Sequence, residues 1–254
     1  MPDVVVRLLG PLEVGVSGRP VELRRQKQRA LLALLALRAG ELVSTDRLVD
    51  ELWGTSAPKA AVGSLQNLVS ELRKALGAYC LVTRAPGYVL AVDREDVDAH
   101  RFERLAREAP NGPPEERARV LREALAMWRG PPLADLAFET FAQAEIARLE
   151  ELRASTREEL FEAELELGRH APLVAELEAF VGEHPLRERP RGELMLALYR
   201  SGRQADALEA YRQARETLVD ELGIEPSAVL QRLEQAILRH DPALELERLG
   251  STKS

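Results

Sequence analysis

The sequence predicts two architectures in one chain: an α+β head over residues 1–93 and an all-α body over 94–245, with 246–254 as a tail. Three observations carry this. Short apolar runs of strand type flank a block of helical period in the head. From Asp93 onward only helical period is present. Within that body, two glycine-centred segments recur 34 residues apart.

The head opens with Val4–Leu9, Leu12–Val16 and Val21–Leu23, punctuated by Gly10-Pro11 and Ser17-Gly18-Arg19-Pro20. These read as short antiparallel strands joined by turns. A Leu- and Ala-rich helix follows over Gln26–Ala39 and stops at Gly40. Ser44 is placed to cap a second helix, Thr45–Trp53, which Gly54 ends. Pro58 opens a third helix that runs to Leu76 and stops at Gly77. On a helical wheel Ala61, Leu65, Leu68, Val69, Leu72 and Leu76 form one stripe, while Gly63, Asn67, Ser70 and Lys74 lie opposite. Cys80–Arg84 and Tyr88–Val92, on either side of Pro86-Gly87, then form a hairpin. Helix, short connection, helix and hairpin make the winged variant of the helix-turn-helix.

The body reads as helices over 98–109, 115–128, 138–168, 171–182, 190–201, 203–221 and 226–239, broken at Pro and Gly. Gly202 is followed by Ala207, Tyr211 and Ala214, and Gly168 by Leu173, Leu177 and Phe180 at the same offsets. Thirty-four residues is the tetratricopeptide period, in which glycine permits a tight helix–helix turn and the spaced residues pack neighbouring helices. Residues 98–168 are expected to supply further, divergent helix pairs, since fewer than three repeats seldom stand alone.

Composition narrows the function. Of 254 residues, 45% are hydrophobic and 30% charged, as in ordinary soluble proteins. Aromatics are 4%, against a stacking platform for single-stranded nucleic acid. The single cysteine, Cys80, excludes an internal disulfide framework and fits a reducing cytoplasm, the expected location. No signal peptide is read at the N-terminus. The longest apolar run, Ala30–Leu37, is eight residues, short of the roughly 20 a membrane helix needs, so no membrane partner is expected. The net charge of −7 divides unevenly: residues 1–92 carry +4 and the rest −11. A basic head on an acidic body points to a polyanion at the head alone.

The segments Gln26–Leu32, Ser44–Leu48 with Leu52-Trp53-Gly54, Ser64–Leu76 and Thr83–Tyr88 resemble the response-regulator type of winged helix. In the body, Leu121–Gly130, His184–Glu188 and Glu221–Pro226 resemble the bacterial transcriptional activation domain. Together, over about residues 4–242, the chain resembles the Streptomyces antibiotic regulatory protein family. That resemblance implies an activator for a secondary-metabolite gene cluster. Such a protein binds direct repeats in double-stranded promoter DNA, often as side-by-side protomers, and recruits RNA polymerase through contacts that include the sigma factor.

The residues supply a physical case of their own. The third helix can enter the major groove, where each base pair has its own donor and acceptor pattern. Short side chains at Ser64, Asn67 and Ser70 allow close approach, and Asn67 can bond an adenine edge. Lys59, Arg73 and Lys74 reach phosphates or guanine. Thr45 and Arg47 begin the second helix, whose amides and dipole favour a phosphate. Arg24, Arg25 and Lys27 cluster before the first helix, and Arg84 and Tyr88 lie on the wing. Glu71 departs from the family, where many relatives carry a basic residue. It either meets cytosine N4 or pairs with Lys74 one turn on.

Chemistry of other kinds is not expected. There is no Walker-type phosphate loop. His100, His170, His184 and His240 are scattered, as surface or capping residues rather than metal ligands. Cys80 reads as a small core residue, and Trp53, Trp128 and Phe138 as packing residues. No nucleophile–base pair argues for an enzyme, and no cofactor is expected. Two alternatives stay open: a protein-interaction scaffold without DNA binding, and the regulatory front of a longer protein.

Overall fold

The computed structural model describes residues 3–109 and 112–245, so the tail expected over 246–254 lies outside the described residues. The chain divides into two compact units, Met1–Glu108 with Arg122–Ser155 and Ala109–Leu121 with Thr156–Ser254. The first unit therefore takes in residues well beyond position 93.

In the first unit, β1 (Val4–Arg7), β2 (Glu13–Val16) and β3 (Arg19–Pro20) form an antiparallel sheet in that order. The third strand was expected at Val21–Leu23. It comes earlier because Ser17 and Gly18 both have positive φ, 50° and 74°, which closes a two-residue turn and pairs Val16 with Arg19 directly. The segment after β1 is tied down by side chains far along the chain. Leu8 and Leu9 donate their amides to the Asp98 carboxylate at 2.6 and 3.2 Å. Burial of that carboxylate pushes its pKa up despite these bonds. Asp135 accepts from the Leu12 amide at 2.7 Å and pairs with Arg29.

Helix α1 (Gln26–Ala36) buries Leu31, Leu32, Leu34 and Leu35 completely. It stops three residues before Ala39, and the last turn tightens until Gly40 reverses the chain at φ 79°. Helix α2 (Thr45–Trp53) has the expected bounds, and Ser44 Oγ accepts from the Arg47 amide at 3.2 Å. Helix α3 (Ala61–Leu76) begins later than Pro58. The Pro58 carbonyl closes a turn with the Ala61 amide at 2.9 Å, and Ala60, at φ −108° and ψ 39°, is not helical. All six residues of the predicted stripe are buried. The wing strands are β5 (Leu81–Arg84) and β6 (Gly87–Leu90), and a two-residue strand β4 (Val43–Ser44) joins them in the order β4-β6-β5.

Helices α4 (Asp98–Glu108), α5 (Pro114–Leu125), α6 (Thr140–Glu166), α7 (His170–Glu183), α8 (Glu188–Arg200), α9 (Gln204–Leu222) and α10 (Ala228–Leu238) complete the chain. In the first unit Trp128 meets Phe102 edge-on at 5.3 Å, with the Arg153 guanidinium 4.6 Å above its ring. Phe138 breaks the expectation of packing: it is 99% exposed, because Leu136 and Phe141 fill the core on either side of it. His100 is buried, and its Nε2 lies 3.0 Å from the last carbonyl of α1, at Ala36.

The second unit carries the repeat. Gly168 and Gly202 have φ of 73° and 76° and end α6 and α8 in the same way. The Arg169 amide reaches back to the Glu164 carbonyl, and the Arg203 amide to the Leu198 carbonyl, both at 2.9 Å. Leu173, Leu177 and Phe180 after the first glycine are buried, as are Ala207, Tyr211 and Ala214 after the second. Phe161 meets Phe180 edge-on at 5.4 Å, α7 packs on α8, and α8 on α9.

Candidate nucleic-acid interface

The exposed side of α3 is polar and short. Gln66, Asn67, Ser70 and Lys74 are exposed and Ser64 half-exposed, while the opposite stripe anchors the helix in the core. The helix is fixed at the hairpin by Arg73, which donates Nε to the Leu81 carbonyl at 2.8 Å and Nη2 to Thr83 Oγ1 at 2.7 Å. The hairpin is fixed in turn to α2. Thr45 donates both its amide and its hydroxyl to the Pro86 carbonyl, each at 3.0 Å. Val43 pairs with Tyr88 and Ser44 with Gly87. Gly87 makes that pairing possible, since a β-carbon there would meet backbone of Val43 and Ser44. Reading helix, preceding helix and wing are thus one preorganised piece.

The candidate residues sort by what they already hold. Lys59, Lys74 and Arg84 are exposed, and their side chains have no hydrogen-bond or ion-pair partner among the described residues. Arg24 and Arg47 are exposed with long pairs, to Glu22 at 3.4 Å and Glu51 at 3.6 Å. Arg25 is exposed and paired with Glu71. Lys27 is half-buried and already bonded: its Nζ donates to the Leu52 carbonyl at 2.5 Å and to Glu139 at 2.9 Å. Arg73 is committed to the hairpin, and Tyr88 is 7% exposed, a core residue of β6. The α2 N-terminus is also largely satisfied, by Pro86 and Ser44, and Asp46 in its first turn opposes an anion.

Glu71 does not make the pairing with Lys74 read from the sequence. Its carboxylate meets Arg25, at the start of α1 and 46 residues earlier, rather than Lys74 one turn on. Nothing local marks that partner. It follows from the packing of α1 on α3. Cys80 is buried, donates to the Leu76 carbonyl at 3.1 Å, and burial raises its thiol pKa. Among the described residues no group of three or more His, Cys, Asp or Glu is placed to hold a metal ion. No helix among them is long and apolar enough to cross a membrane.

Two family descriptions match the chain. "Transcriptional regulatory protein, C terminal" matches residues 18–90, and "Bacterial transcriptional activator domain" matches residues 97–238. The regulatory protein DnrI of Streptomyces peucetius is 42% identical over 94% of this chain and 94% of that protein. The transcriptional regulator RedD of Streptomyces coelicolor is 39% identical over 96% of this chain and 73% of its own length. A solved structure of Mycobacterium tuberculosis EmbR, in complex with a low affinity phosphopeptide, superposes with a TM-score of 0.89 at 37% identity. That match covers 95% of this chain and 66% of EmbR.

Proposed function

The chain belongs to the Streptomyces antibiotic regulatory protein family of transcriptional regulators, and from that premise we propose how it engages a promoter. Residues 1–93 hold double-stranded DNA. Helix α3 enters the major groove and presents Ser64, Asn67 and Ser70 to base edges. Lys59, Lys74 and Arg84 contact phosphates, with Arg24 and Arg47 within the same reach. Lys27, Arg73, Tyr88 and Thr45 support the interface from within.

Residues 94–245 act on protein. Their surface carries the acidic excess of the chain. They receive a neighbouring protomer on a direct repeat and RNA polymerase, the sigma factor included. The regulated genes are a secondary-metabolite cluster, the location is the cytoplasm, and no catalysis is involved.

The observation that supports this reading best is the exposed polar face of α3, held between a capped helix and a wing by side chains that are themselves satisfied. The test is the pair Lys74→Ala and Arg84→Ala. Each is expected to weaken promoter binding at unchanged thermal stability and to reduce the log–log salt slope by about 0.9. Unchanged affinity in both variants contradicts the assignment. A wild-type protein without salt-dependent DNA binding supports the scaffold reading instead.

A further inference from the structure

Helix α3 carries one acidic residue, Glu71, among the polar side chains of a helix proposed to face DNA. It lies one position beyond Ser70 and so about 100° round the helix, on the flank of the groove-facing side. Its carboxylate is 32% exposed and pairs with the Arg25 guanidinium, which is 69% exposed. Arg25 differs in this from Lys59, Lys74 and Arg84, whose side chains have no ion-pair partner among the described residues.

We propose that Glu71 is a residue that sets affinity and salt dependence: it masks the Arg25 cation beside the reading helix, so the phosphate backbone contributes less to binding while the preference among sequences stays with the base contacts. This rests on the DNA-binding reading above. The physical argument does not need a strong bond. An exposed pair of this kind is worth about 0–1 kcal/mol and opens readily. Its two charges nevertheless lie within hydrogen-bonding distance, while the screening length at working salt is about 8–10 Å. A phosphate approaching that flank meets a near-neutral dipole rather than a free cation. Phosphate contacts supply affinity without sequence information, whereas base contacts discriminate. Neutralising a flanking arginine therefore lowers binding to all sequences alike and leaves discrimination to the Ser64, Asn67 and Ser70 contacts.

The test uses the full chain and compares Glu71→Gln, Arg25→Gln and the double variant with wild type, on a selected site and on random duplex DNA. Thermal stability is expected to be unchanged throughout. Glu71→Gln is expected to steepen the salt slope by about 0.9, so that its affinity advantage over wild type grows about 3.5-fold between about 200 and about 50 mM salt. Its preference for the selected site over random DNA is expected to be unchanged, because the freed cation adds equally to both. Arg25→Gln alone leaves the Glu71 carboxylate bare and is expected to lower affinity and slope, and the double variant is expected to return to the wild-type slope.

An unchanged slope in Glu71→Gln overturns the proposal. So does a double variant that keeps the steeper slope, because Glu71 then acts by its own repulsion and not through Arg25. A double variant whose slope falls below wild type by as much as that of Lys74→Ala overturns it too, because Arg25 is then an unmasked contact. If wild type shows no salt-dependent binding, the DNA-binding reading fails and the inference with it.

Discussion

Gly87 and the Val43 carbonyl compete for one space: a β-carbon built on Gly87 would lie 1.9 Å from Val43 O and 2.7 Å from Ser44 Cα. Both neighbours are backbone and neither can rotate away. Gly87→Ala is therefore expected to separate β4 from β6, at a cost of about 3 kcal/mol, the upper end for overpacking. Thr45 then loses the Pro86 carbonyl, and the wing its hold on α2. A denaturant melt measures the loss. A variant as stable as wild type would mean the strands part without penalty.

Arg73 and Lys74 are neighbours with different tasks. Arg73→Ala removes two hydrogen bonds from helix to hairpin, and is expected to cost about 1–3 kcal/mol of stability. Lys74→Ala removes no contact seen among the described residues and is expected to leave the melting temperature unchanged while weakening DNA binding. Melting and binding curves of the two variants separate the roles. Equal stability in both would place Arg73 outside the framework.

Asp135 joins three parts of the first unit, through the Leu12 amide and Arg29. Both partners of the ion pair are about three-quarters buried. Asp135→Ala leaves a buried amide and a guanidinium about three-quarters buried without that acceptor, and is expected to cost about 2 kcal/mol. Urea unfolding monitored by the fluorescence of Trp53 and Trp128, both in the same unit, reads the change. A midpoint equal to wild type would show that water replaces the carboxylate.

Glu193 sets a pH dependence in the second unit. Burial pushes its pKa from 4.5 up to about 8, Arg189 pulling the other way and Glu158 and Glu162 adding to the rise. One guanidinium cannot serve every carboxylate near it: Arg189 lies 2.8, 3.0 and 3.2 Å from Glu159, Glu162 and Glu193. The folded chain then holds a proton that the unfolded chain has released between these two pKa values. Stability is therefore lost as pH rises through that window. Glu193→Gln is expected to flatten the fall in melting temperature between about pH 5 and pH 9. Parallel pH profiles of variant and wild type would contradict the assignment.

Local period made much of this fold legible. The α3 stripe and the two glycine-led triplets of the repeat are buried as their spacing requires, because one face of a helix is decided by residues three and four apart. Contacts closed over long distances left no such mark. Lys27 reads as one of three basic residues in a row of charges, yet its partner Glu139 lies 112 positions on. Arg73 looks like a groove-facing cation until the Leu81 carbonyl is in place. Strand β4 has two residues and is held by pairing with Tyr88 and Gly87, so propensity could not announce it. Tyr88 turned inward because the same pairing placed β6 at the centre of its sheet.

The central claim is that α3 and the wing read a promoter. The most direct measurement is selection of bound sites from a random double-stranded DNA pool at two salt concentrations. The account predicts enrichment of a direct repeat with half-sites about one helical turn apart, and affinity that falls as salt rises. Absence of any binding at the lower salt would contradict it.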